Sequence, residues 1–219
     1  MSSNQYFIFF KTGTGGHLLS SLIYKMTVRD IDIPITHYGN MHNVTGFLVE
    51  NISDTSTFIT TEFKYLYPRY KLVHPLNEND PFIIPDHYSV DWEDLEKHYP
   101  NFNGIKITYN NDDIKNIVPL ICLKLELECL GVETSKENGE FHTNDLLSNE
   151  FYKTPDEYNG KVHNIEFNKI LTDQEFTLNF LSDITKKPIT ESMRLLYSNW
   201  VDATNLAIAV YNKLYGSVT

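Results

Sequence analysis

The stretch from Gln5 to Met26 constrains the fold more than any other part of the chain. Gln5 to Phe10 is an apolar and aromatic run, Lys11 to Gly16 is rich in glycine, and His17 to Met26 returns its apolar residues at helical spacing. A run that is apolar on both alternations has no solvent face, so it predicts a strand buried on both sides of a sheet. Leu18, Leu19, Leu22, Ile23 and Met26 share one broad helical face. Strand, glycine turn and amphipathic helix in that order open a nucleotide-type α/β fold, and open α/β sheets bind their ligands at such strand ends.

The turn reads Lys11-Thr12-Gly13-Thr14-Gly15-Gly16-His17. Glycines let backbone amides converge on an oxyanion because no Cβ blocks the approach. The start of the following helix adds unpaired N–H donors and positive dipole. Thr12 and Thr14 carry hydroxyls, and Lys11 a point charge. The expected ligand is therefore an anionic group bearing phosphate or sulfate. A Walker A loop needs Gly-Lys followed by Ser or Thr at the helix start, whereas this chain has Gly16-His17-Leu18. A dinucleotide GxGxxG loop fails at its third glycine, which is Leu18. A tight turn with no ligand is the bland alternative, weakened by its place after the first buried strand.

Further along, Ile31 to Thr36, Val44 to Val49, Thr57 to Thr61 and Tyr70 to His74 read as short strands. A loop rich in Pro and Asp is expected through Pro85, and a short helix over Trp92 to His98. Gly104 to Tyr109 alternates like a strand, and Asn111 or Asp112 would cap a helix running to about Cys129. Pro119 predicts a kink or a late start in that helix. Residues 131 to 160 are polar and glycine-punctuated, as in a surface excursion. Val162 to Phe167 reads as a returning strand. Thr172 to Thr185 and Ile189 to Tyr215 read as two terminal helices. All of this suits one α/β domain over residues 1–219.

Charge narrows the partners. The net charge of −11 repels nucleic acid backbones and anionic membranes. An anion site in such a chain must gather cations locally, and the only arginines are Arg29, Arg69 and Arg194. Cys122 and Cys129 stand seven apart, on one helical face but too far to bridge. They read as buried reduced thiols, which suits a cytoplasmic setting, and no metal-ligand spacing involves them. The run from Tyr6 to Phe10 is too short for a signal segment or a membrane span.

The strand, the Lys-Thr-Gly-Thr run from Lys11 to Thr14 and the Leu-Leu helix resemble the 5′-phosphosulfate loop of the sulfotransferases. Ile105-Lys106-Ile107-Thr108-Tyr109 with Asn110 to Ile114 is similar to that family's second conserved strand-loop-helix. Ile165-Glu166-Phe167, Leu171 and the helix from Thr172 are similar to its late strand and helix. The resemblance implies a three-layer α/β sandwich with a mainly parallel central sheet, like the P-loop nucleoside triphosphate hydrolases. It also implies 3′-phosphoadenosine-5′-phosphosulfate (PAPS) as sulfuryl donor and a hydroxyl or amine acceptor, small molecule or glycan. Lys11, Thr12, Gly13, Thr14, Gly15, Gly16 and His17 would cradle the donor, with Tyr109 beside it. Lys11 takes the family lysine's place if Thr12-Gly13-Thr14 is the loop core; with Thr14-Gly15-Gly16 as the core, that place is Gly13. Family members carry an Arg after the second strand and a Ser about one helical turn later, both for the 3′-phosphate. Here those places fall at Tyr109 or Asn110, and at Asn116 or Ile117. Arg69, Arg194, or Lys186 and Lys187 are the cations left to replace that arginine.

Transfer to a hydroxyl or amine needs charge stabilisation and a base. Lys11 would supply the charge. His74, at the end of a strand candidate, and His42, in a loop with Asn40 and Asn43, are the candidate bases. Two rival readings share the fold. One is phosphoryl transfer from a nucleotide, which lacks its Gly-Lys-Ser/Thr motif here. The other is a non-catalytic binding module, suggested by the missing arginine.

Overall fold

The structure, a computed structural model, describes residues 5–11, 13–27, 58–59, 82–86, 96–97, 100–125, 143–144, 146–147 and 160–217. In chain order these form β1 (Gln5–Phe9), α1 (Gly16–Thr27), β2 (Phe58–Ile59), β3 (Phe82–Asp86), β4 (Asn103–Thr108), α2 (Asn111–Leu125), β5 (Val162–Glu166), α3 (Phe167–Thr172), α4 (Gln174–Thr185) and α5 (Glu191–Tyr215).

The strands make one sheet in the order β2-β3-β1-β4-β5, and every described pairing is parallel. The architecture is thus α/β with a parallel central sheet, as the resemblance implied. β1 is central. The chain fills one side of it with β2 and β3, then crosses to build β4 and β5 on the other. The strand order reverses between β1 and β4, the kind of place where open α/β sheets bind ligands, and the Lys11 turn emerges at the carboxyl end of β1.

Parallel neighbours share a face. Tyr6 and Ile8 lie beside Ile83 and Ile105, and with Ile107 and Ile165 they form one core with α1, α2, α4 and α5, through residues such as Leu18, Leu22, Ile117, Leu181 and Trp200. Phe7 and Phe9 point the other way and are each only 1% exposed. Their rings stack 6.2 Å apart, and Phe102 meets Phe7 edge-on at 5.8 Å. β1 is therefore covered on both faces, as its apolar run requires. Burying each of these phenylalanines stabilises the fold by roughly 1.5–3 kcal/mol. At the sheet edge, β5 buries only Ile165.

Several boundaries differ from the sequence reading. The loop expected through Pro85 contains β3, in which Pro85 sits opposite Ile8. The described pairing with β2 ends at Ile83, so the N–H that Pro85 lacks faces no described partner there. The cap of α2 is Asn110, one residue earlier than expected. Its Oδ1 accepts from the N–H of Asp112 at 2.8 Å and of Asp113 at 3.2 Å, while Asp113 Oδ2 accepts from the Asn110 N–H at 2.8 Å. That is a reciprocal capping box. The helix starts there, so Pro119 lies inside it rather than delaying it. The helix expected over Thr172 to Thr185 is α4, which starts two residues later, at Gln174. α3 ends at Thr172, and Asp173 starts α4 by accepting the Phe176 N–H at 3.0 Å. Phe167, expected to end a strand, begins α3.

Thr57 to Thr61 contains β2, and Glu96 and Lys97 are helical within the expected Trp92 to His98 helix. The strand candidates at Ile31 to Thr36, Val44 to Val49 and Tyr70 to His74 lie outside the described residues, as does most of 131–160.

Gly104 shows why a strand interior can require glycine. A Cβ there would stand 2.8 Å from Val162 Cγ2, 3.2 Å from Phe9 and 3.3 Å from Phe102. Gly104→Ala is expected to cost about 1–3 kcal/mol through overpacking. Urea unfolding measures it, and a change within error of zero would mean that this face is looser than described.

Candidate functional site

The turn after β1 closes on a single carbonyl. Lys11 O accepts both the Thr14 N–H at 3.1 Å and the Thr14 hydroxyl at 2.6 Å. Gly13 and Gly15 have φ of +85° and +86°, a region that residues with a Cβ enter only at a cost. The first bond of α1 runs from the Leu19 N–H to Gly15 O at 3.2 Å. The N–H groups of Gly16, His17 and Leu18 thus stand ahead of the helical ladder. No acidic residue lies in the first turn of α1, so the helix end keeps its positive character. Ser20 and Ser21 donate their hydroxyls back to Gly16 O and His17 O, at 2.9 and 2.8 Å.

Packing holds this shape. A Cβ on Gly13 would meet Ile121 Cγ1 at 2.9 Å and the Ile117 carbonyl at 3.1 Å, both on α2. One on Gly15 would meet the Trp200 ring of α5 at 3.3 Å and Ile170 of α3 at 3.4 Å. One on Gly16 would fall 2.2 Å from the Phe10 ring. The turn is threaded between helices at distances only glycine permits.

The structure gathers Lys11, Gly13, Thr14, Gly15, Gly16 and His17 at this one place, all buried. Lys11 and His17 are each 8% exposed. The His17 ring stands edge-on to Phe10 at 5.3 Å, and its Nε2 is buried with no hydrogen-bond partner for that atom among the described residues. Thr14 is fully buried and its hydroxyl hydrogen is committed to Lys11 O, so its side chain serves to close the turn. Thr12, His42 and His74 lie outside the described residues, as do Arg29 and Arg69.

Just after β4, Tyr109 donates its hydroxyl to Leu146 O at 3.1 Å. Asn110 is occupied as the helix cap, and Ile117 is buried against Gly13. None of these is cationic. Lys106 lies beside Phe9 on β4, and burial holds its ammonium below the ordinary lysine pKa. Arg194 is ion-paired with Glu175. Lys186, the left-handed C-cap of α4, is close enough to lower the pKa of His163, which burial already depresses. His163 stands near the amino end of β5, and the turn is at the opposite end of the sheet.

Sequence reasoning did not find the residues that press on the turn: Ile117, Ile121, Ile170 and Trp200. Each sits on an apolar helical face and reads as ordinary core. Only the three-dimensional approach to Gly13 and Gly15 sets them apart. Tyr197, one turn before Trp200, donates its hydroxyl to Ile170 O at 2.6 Å, and burial raises its pKa, keeping the proton on the donor.

Among the described residues no cluster of histidine, cysteine or acidic side chains could hold a metal ion, and no helix is long and apolar enough to cross a membrane. No protein-family model matches the chain, and no curated protein matches it in sequence. Solved structures do match. The mouse sulfotransferase SULT7A1, complexed with PAP, is 11% identical with a TM-score of 0.49, over 95% of this chain and 66% of that one. The sulfotransferase domain from the curacin biosynthetic pathway is 14% identical with a TM-score of 0.43, over 87% of this chain and 76% of that one. The sulfotransferase from Alicyclobacillus acidocaldarius is 13% identical with a TM-score of 0.39, over 96% and 95%.

These solved structures are sulfotransferases. Theirs is the family that the Lys11 turn resembles. This chain spans just under two thirds of the mouse enzyme's length.

Gly13→Ala combines a left-handed φ with a Cβ set against backbone, so it is expected to destabilise by about 2–4 kcal/mol. Urea unfolding reads the loss. A loss under about 1 kcal/mol would show that the turn can reshape without strain.

Proposed function

We propose that the chain is a sulfotransferase-like enzyme. It would move a sulfuryl group from 3′-phosphoadenosine-5′-phosphosulfate to a hydroxyl or amine of a small-molecule or glycan acceptor. The observation that carries this reading is the glycine turn at the carboxyl end of the central strand, with the N–H groups of Gly16, His17 and Leu18 ahead of the helical ladder and Lys11 alongside. The cradle fits an oxyanion, because the turn leaves no room for a Cβ at Gly13 or Gly16, crowds one at Gly15, and brings no acid to the helix start.

The donor would supply an activated sulfuryl group. Lys11 and the backbone amides would bind the phosphosulfate end and stabilise the charge that develops on its oxygens. Gly13, Gly15 and Gly16 allow that approach. Thr14 fixes the turn, and His17 stands at the helix start as a further N–H donor. Thr12 belongs to the same loop, and Tyr109 would stand at or beside the place where the family's arginine meets the 3′-phosphate. His74 or His42 would take the acceptor's proton. The chain's acidity favours a neutral or cationic acceptor over nucleic acid or an anionic membrane. A cytoplasmic setting suits Cys122, buried and in no disulfide.

Phosphoryl transfer is the weaker reading. The helix position where a P-loop enzyme offers a hydroxyl to magnesium is Leu18, an apolar residue with no exposure. A non-catalytic anion-binding module is favoured by one observation: the place of the 3′-phosphate arginine holds Tyr109 and Asn110, both engaged elsewhere.

Incubation with the radiolabelled donor and a panel of phenolic, amine and sugar acceptors tests the proposal. Transfer is expected, and Lys11→Ala is expected to lower it about a hundredfold or more by removing a preorganised charge. Transfer unaffected by Lys11→Ala would move the chemistry away from this turn. Donor binding without transfer to any acceptor would favour the module.

A further inference from the structure

We propose that Trp200 is the positioning residue that holds the turn's amides in register for the anion; this rests on the functional reading above. Gly13 and Gly15 are both left-handed, and glycine reaches several other conformations at little cost. A turn built on two such residues would scatter its N–H directions unless something confined it. Two surfaces confine this one. On the Gly13 side stand the Ile117 carbonyl and Ile121 of α2. On the Gly15 side stands the edge of the Trp200 ring, with Ile170 beside it.

Trp200 is suited to the task. It is 2% exposed and among the largest buried side chains described, so its ring has little freedom. Its height on the turn is set independently by the Tyr197 hydroxyl, which donates to Ile170 O one helical turn earlier at 2.6 Å. α5 packs on both α1 and α2, so the elements on either side of the turn are also braced against each other. Removing the indole would leave α5 docked through Tyr197 and free Gly15 to move. The consequence is on ligand affinity as well as stability. A shift of a few tenths of an ångström in three converging amides weakens all their bonds to one oxyanion together.

The test is isothermal titration with 3′-phosphoadenosine-5′-phosphate, the desulfated donor, on wild type, Trp200→Ala, Trp200→Phe and Tyr211→Ala. Tyr211 is a buried aromatic on the same helix, about 16 Å further along. Trp200→Ala is expected to weaken binding about tenfold or more. Trp200→Phe should recover most of that loss, and Tyr211→Ala should bind like wild type despite a lowered urea midpoint. Equal weakening in Trp200→Ala and Tyr211→Ala, or no weakening in either, overturns the proposal and leaves Trp200 as core. Should the alanine variant not fold, Trp200→Leu replaces it and the amide NMR signals of Gly13, Gly15 and Gly16 are read. The proposal requires them displaced in Trp200→Leu and unmoved in Tyr211→Ala. No heat with wild type would remove the functional reading itself, a result distinct from any difference among the variants.

Discussion

The rest of the molecule depends on the contact between a backbone without side chains and the helices that close on it. Gly13, Gly15 and Gly16 bring the turn to within van der Waals distance of α2, α5 and Phe10, where a Cβ at any of them would meet carbon or carbonyl at 2.2–3.3 Å. That approach places the start of α1 at the reversal of the sheet. It also lets α2 and α5 pack on each other across the turn. The same missing Cβ atoms are what the proposed approach of an oxyanion to the amides would need. Packing and that approach make the same demand on the same residues.

The opening of the chain was legible because its pattern is local. Apolar residues at both alternations from Tyr6 to Phe10 left no place for β1 except inside a covered sheet, and the helical face from Leu18 to Met26 fixed what followed. β4 was legible from its alternation. What escaped was decided by tertiary pairing. Pro85 argued for a loop, yet its strand pairs with β1 through Asp86, and the described pairing on its other side, with β2, ends at Ile83. Thr172 read as the start of a helix, but α3 ends there and the Asp173 side chain caps the next one. Asn110 displaced the expected cap because its side chain and that of Asp113 satisfy each other's backbone.

The candidate site divided along the same line. Lys11 to His17 could be named from sequence because a glycine turn announces its own chemistry. Trp200 and Ile117 could not, because an apolar residue at helical spacing carries no mark of what it touches. The resemblance to sulfotransferases pointed to a cation beyond β4, and the structure places there a tyrosine bonded to Leu146 O and an asparagine spent on capping. The turn is therefore the firm element of the site. Were the proposed donor bound there, the rest of it would have to be held by groups other than the family's arginine and serine.

The central claim is that the amides of this turn bind an oxyanion. Its most direct measurement is the backbone amide NMR spectrum during titration with 3′-phosphoadenosine-5′-phosphate. The account predicts saturable downfield shifts at Gly15, Gly16 and His17, larger than elsewhere and absent in Lys11→Ala at the same ligand concentration. Saturable shifts that map to other residues, with those of the turn unmoved, would contradict it.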